Sequence, residues 1–86
     1  MARKPKPSGK LNRGPWDAKH IRSAFLSDGW YVDEKGPHNQ LRHDTRKGKL
    51  TVDEKWTSIR VGDDAFRSWI ANGGYSKDEL IRLFNS

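Results

Sequence analysis

A chain of 86 residues has room for one small domain, and with 33% hydrophobic and 33% charged residues its core must draw on the four Trp, three Phe and two Tyr. The absence of Cys excludes a disulfide framework, a thiolate nucleophile and a Cys-ligated zinc or iron–sulfur centre. No apolar run approaches the roughly 20 residues of a membrane helix, and the first residues lack the apolar segment of a signal peptide. Neither membrane insertion nor secretion is expected, and the reducing cytoplasm is the expected location.

The net charge of +6 is unevenly spread. Residues 1–14 hold Arg3, Lys4, Lys6, Lys10 and Arg13 without a single acid, which leaves 12 Lys and Arg to face all 11 acids in the rest of the chain. With Pro5, Pro7, Ser8 and Gly9 between its cations, this segment has no apolar surface to bury and reads as a disordered basic arm on a domain of residues 15–86. Each Lys or Arg that meets a phosphate releases counterions, so the arm is expected to grasp RNA without reading its sequence.

Asp17 is placed to cap a first helix in which Ile21, Ala24 and Phe25 form one apolar stripe, and Gly29 ends it. Trp30 to Asp33 alternates as a half-buried strand, with Trp30 and Val32 on one face and Tyr31 and Asp33 on the other. Glu34-Lys35-Gly36-Pro37 makes a turn into a second strand, His38 to His43, whose parity sends Leu41 inward and His38, Gln40 and Arg42 outward. A basic turn, Asp44 to Gly48, leads to a third strand, Lys49 to Val52, with Leu50 and Val52 facing the core. Residues 53–61 show no period and read as an ordered loop pinned by Trp56, Ile59 and Val61. Gly62-Asp63-Asp64 opens a helix with Phe66, Trp69 and Ile70 on one stripe, Asn72-Gly73-Gly74 stops it, and a capping box of Ser76 and Glu79 starts a short last helix. The order predicts an α+β fold with helices on one face of a three-stranded antiparallel sheet.

Of the three His, His20 reads as an exposed or half-buried helical residue. His38 stands out at a hairpin mouth, on the outward face, with Arg42, Arg46, Lys47 and Lys49 nearby. An imidazole titrates near neutral pH, so it can take the proton of a ribose 2′-hydroxyl as that oxygen attacks its own phosphorus, while cations hold the phosphate. A metal centre is not expected. His38 and His43 are five apart on one strand and point to opposite faces, and Asp33, Asp44, Asp53 and Glu54 match no zinc or two-metal spacing.

Asp28-Gly29-Trp30-Tyr31-Val32, Gly36-Pro37-His38, Leu41-Arg42-His43, Gly48-Lys49-Leu50-Thr51-Val52 and Gly62, in that order over roughly residues 17–84, resemble the HicA family of toxins. The resemblance implies a double-stranded-RNA-binding-like α-β-β-β-α fold, here with a short extra C-terminal helix, and an mRNA interferase that cleaves RNA without the ribosome and is silenced by a HicB-like antitoxin protein; no cofactor is expected. It implies His38 as the catalytic residue, with Arg42 and His43 at the basic and His positions that close the same strand. The sequence departs from the family pattern where Pro37 replaces a Ser, where Asp53-Glu54-Lys55-Trp56 stands in place of a Pro and a further His, and where Asp63 replaces a Thr.

The expected function is therefore a metal-independent endoribonuclease with His38 as general base. RNA is gripped by Arg42, His43, Arg46, Lys47 and Lys49, and by Lys4, Lys6, Lys10 and Arg13 of the arm. The alternative is a HicA-like scaffold that no longer cuts and binds nucleic acid or a host protein, motivated by Pro37 and the acids at 53 and 54. A third reading is a protein-only partner anchored by an exposed Trp16 or Trp56.

Overall fold

The structure is a computed structural model that describes residues 12–36 and 39–86. In chain order it holds α1 (Ala18–Ser27), β1 (Trp30–Val32), β2 (Gln40–His43), β3 (Leu50–Thr51), α2 (Asp64–Gly73) and α3 (Lys77–Phe84). This is an α+β fold with an antiparallel sheet of order β1-β2-β3, in keeping with the expected α-β-β-β-α order and its extra last helix. Among the described residues no helix is long and apolar enough to cross a membrane.

Each helix forms where its cap and stripe place it. The Asp17 carboxylate accepts from the His20 N–H at 2.9 Å, satisfying a free amide of the first turn of α1. The capping box of α3 is complete, with Glu79 N–H donating to the Ser76 hydroxyl and Ser76 N–H donating to the Glu79 carboxylate. At the start of α2 the Asp63 side chain caps nothing. It accepts from the Arg60 N–H at 2.8 Å and so closes the preceding turn.

The strands are shorter than their patterns predict, because their ends are drawn into turns and loops, but the facing of the described residues is as the alternation requires. Val32, Leu41 and Leu50 lie opposite one another across the three strands on the core side. Over them sits an aromatic cluster centred on Phe25, which meets Trp69 and Phe84 edge-on at 5.4 Å each and Trp30 edge-on at 6.2 Å. Such pairs add about 0.5–1.5 kcal/mol each to the burial of their area. The Trp69 indole N–H reaches the Thr51 carbonyl at 2.9 Å, which ties α2 to the edge strand.

The loop of residues 53–61 is held by backbone. Trp16 and Ile59 exchange both N–H···O bonds at 2.8 Å, and the Ala18 N–H donates to the Trp56 carbonyl at 2.9 Å. Trp16 is buried at 4% exposure between Phe66 and Phe84, which removes it as a surface anchor for a partner; Trp56 is half-buried. Asn12 to Gly14, grouped by charge with the arm, belong to the body. The Asn12 N–H donates to the Asn85 side chain at 3.0 Å, the Asn85 amide returns a bond to the Asn12 carbonyl at 2.8 Å, and the Val61 N–H donates to Arg13. The rest of the expected arm, with Lys4, Lys6 and Lys10, lies outside the described residues.

Two substitutions test this packing. Phe25→Ala empties the centre of the cluster and is expected to cost about 3–5 kcal/mol in urea unfolding. A Cβ at Gly48 would stand 1.8 Å from the Asn72 carbonyl oxygen, so Gly48→Ala must push the β2–β3 turn off α2. We expect a loss of about 2 kcal/mol or more, read as a lower urea midpoint with an unchanged slope.

Candidate nucleic-acid interface

With helices on one face, the other face of the sheet is left to solvent. The register sets Tyr31 directly opposite Arg42, and Gln40 opposite Thr51. Continuing the β2–β3 register by one residue sets Lys49 beside Arg42. The outward rows are therefore Tyr31–Arg42–Lys49 and, one pleat along, Asp33–Gln40–Thr51. Tyr31, Asp33, Gln40, Arg42 and Lys49 of these rows line an open groove of about 970 Å³ whose rim also includes Lys35 and Gly36. Arg42 pairs with Asp33 at 3.7 Å, and the Asp33 carboxylate, only 12% exposed, also accepts from the Lys35 N–H at 3.1 Å. A half-exposed pair of this kind adds little stability. It orients the guanidinium over the groove.

The candidate catalytic residue, His38, and its neighbour Pro37 lie outside the described residues. The residues beside them are placed. Gly36 lines the groove and its N–H donates to the Asp33 carbonyl at 3.3 Å, while the Asn39 carbonyl accepts from the Val52 N–H at 2.8 Å.

The other residues singled out from sequence part company. Arg42 and Lys49 share the groove. Arg46 turns away from it, donating to the Gly73 carbonyl at 2.7 Å with its guanidinium 4.2 Å from the centre of the Tyr75 ring. A cation there satisfies an end carbonyl of α2 and complements the helix dipole. Arg46 is thus engaged with the end of α2 and lies outside the groove. Lys47 is exposed in a separate depression beside Asn72 and Gly74. Arg13 is exposed at the edge of the body.

His43 is likewise taken up by the fold. Its Nε2 lies 2.9 Å from the Asp28 carbonyl, which can only accept, so the proton sits on Nε2; Nδ1 then accepts from the Thr45 N–H at 3.1 Å. The ring stands edge-on to Trp30 at 5.1 Å. Both ring nitrogens of His43 are thus engaged within the fold. His20 is exposed on α1, and its Nε2 lies 2.6 Å from the Phe84 carbonyl in the last turn of α3.

Sequence reading singles out the cations of the groove but not Tyr31. The signal was present in the period-2 alternation that turns Tyr31 outward. What was missing was the register that sets it in line with Arg42 and Lys49.

Asp28 also anchors the one strongly perturbed group among the described residues. The Trp30 indole N–H donates to the Tyr75 hydroxyl at 2.8 Å, and that hydroxyl donates to the Asp28 carboxylate. Burial first, and then the bond to Asp28, push the Tyr75 hydroxyl up from 10.0 to about 12. No family model, curated protein or solved structure matches this chain.

Tyr75→Phe leaves the Trp30 indole and Asp28 without their partner and is expected to cost about 1–3 kcal/mol at neutral pH. The alkaline limb reports the burial of the hydroxyl together with that bond. From pH 10 to about 12 the unfolded chain gives up the Tyr75 proton and the folded chain keeps it. The parent therefore loses stability as pH rises through that window and Tyr75→Phe lacks this component, a difference in slope measurable by urea unfolding at stepped pH.

Proposed function

We propose that this chain is a HicA-like endoribonuclease of the cytoplasm that holds RNA across the exposed face of its sheet and cuts it without a metal ion. The observation that carries the reading is the groove in which Arg42 and Lys49 stand beside the hairpin that bears His38. Both nitrogens of His43 are engaged with the fold and His20 stands on α1 away from the groove, which supports His38 as the proton acceptor. In the proposed step the His38 imidazole takes the proton of a ribose 2′-hydroxyl. The 2′-oxygen bonds to the adjacent phosphorus, the bond to the 5′-oxygen breaks, and that oxygen takes a proton from water. The products end in a 2′,3′-cyclic phosphate and a 5′-hydroxyl. Arg42 and Lys49 neutralise charge gathering on the phosphate. The resemblance also supplies the regulator, a HicB-like antitoxin that would silence the nuclease by binding it.

Pro37, which removes a backbone donor and a hydroxyl beside His38 relative to the family pattern, favours a second reading in which the same face binds RNA and does not cut it.

Incubation of the full chain with end-labelled RNA in EDTA separates the two. Cleavage to cyclic-phosphate ends is expected, and His38→Ala should slow it by about 10²–10⁴-fold, the usual share of a general base. A parent that binds RNA and leaves it whole supports the second reading. A His38→Ala variant that cuts as fast as the parent removes His38 from the mechanism.

A further inference from the structure

The outward row Tyr31–Arg42–Lys49 combines two features that do not ordinarily lie together by chance of composition. Tyr31 is 45% exposed, one of two large hydrophobic side chains left so open among the described residues. Single exposed apolar side chains are common and need no explanation. What distinguishes Tyr31 is its neighbours. The other such residue, Leu26, lies on α1, whereas Tyr31 has a guanidinium directly across the strand pair and an ammonium on the next strand. Adjacent strands stand about 4.8 Å apart, so the backbone positions that carry the ring and the ammonium are about 10 Å apart. That is the order of the distance from a base to the phosphates on either side of its sugar.

The second row supplies a hydrogen-bonding group within the same groove, the Gln40 amide. The acids of the groove do not cancel its cations. Asp33 and Arg42 pair with each other, which leaves Glu34 as the exposed acid against Lys35 and Lys49 and the groove with a net positive charge.

We propose that this row is a stacking platform for an unpaired nucleotide: a base lies on the Tyr31 ring, and its flanking phosphates are held by Arg42 and Lys49. The inference rests on the reading of the sheet face as an RNA-binding surface and adds to it the class of RNA. A duplex hides the faces of its bases and presents phosphates and groove edges, so a ring set into a sheet has nothing to stack on there. A single strand offers a face at every base, and stacking is tolerant of sequence. The chain therefore selects single-stranded over double-stranded RNA, and it does so through Tyr31. The cations add affinity that falls with salt and is common to both forms.

The test measures binding of the full chain to a fluorescein-labelled 2′-O-methyl oligonucleotide, which lacks the attacking hydroxyl, by anisotropy at one fixed salt concentration. The same strand annealed to its complement is the second probe. The parent should bind the single strand more tightly than the duplex. Tyr31→Ala should weaken single-strand binding about 5- to 150-fold, the span of one base–aromatic stack, and leave duplex binding within twofold. Tyr31→Phe, which keeps the ring, should stay within twofold of the parent on both probes. Arg42→Ala should weaken both probes at that concentration and, when the titration is repeated over a salt series, flatten the salt dependence. An unchanged single-strand affinity in Tyr31→Ala, or a parent that prefers duplex, overturns the platform, as does a parent that binds neither probe.

The outcome separates from that of the nuclease assay. Tyr31-dependent binding by a chain that leaves ordinary RNA uncut keeps the platform and removes the nuclease. His38-dependent cutting by a chain whose binding ignores Tyr31 does the reverse.

Discussion

The fold turns on the junction at Asp28. Its carbonyl takes the Nε2 proton of His43, and its carboxylate takes the proton of Tyr75, whose hydroxyl in turn accepts from the Trp30 indole. Four segments meet there: the end of α1, the first residue of β1, the last residue of β2 and the connection between α2 and α3. Each buried polar atom in the set has its partner, which avoids the cost of leaving such a group unpaired inside a small core. A purely apolar junction would hold the same elements together but would leave their relative rotation less defined. The hydrogen bonds demand one geometry, and Arg46, bonded to Gly73 and lying over the Tyr75 ring, closes the outer side of the junction.

This use of polar side chains inside the fold decides what is left for function. Residues of the same type do different work according to which side of the sheet they stand on. Arg42 faces solvent and Arg46 caps α2; His43 is locked between Asp28 and Thr45. The sheet separates the two environments because successive side chains on a strand point to opposite faces. The aromatic cluster around Phe25 makes the inward face continuous, and the outward face carries the row that begins at Tyr31. Recognition and catalysis in the proposed function both belong to that outward face and the hairpin beside it.

The helices were legible in the sequence because their signals are local. Asp17 and the Ser76–Glu79 box satisfy amides within three residues of themselves, and the stripes of Ile21 and Phe25 or Phe66 and Trp69 repeat at the helical period. The facing of β1 and β2 was legible for the same reason. The tie between Trp16 and Ile59 was not, since it joins residues 43 apart by backbone groups that every residue carries. Nor was the inclusion of Asn12 to Gly14 in the body: their composition resembles the arm, and only Asn85, at the far end of the chain, holds Asn12 in place.

By itself the sequence determined the order of elements, the inward residues of each, the separation of a basic leading segment from a nearly neutral body, and the candidacy of His38. These follow from short-range periodicity, capping chemistry and charge, all of which act between near neighbours. Only the tertiary structure decided which cations share a surface. It drew Arg46 and His43 into the fold and aligned Tyr31 with Arg42 and Lys49. Register and helix docking are set by contacts between distant segments, and a one-residue slip in either would have dealt the same residues to opposite faces.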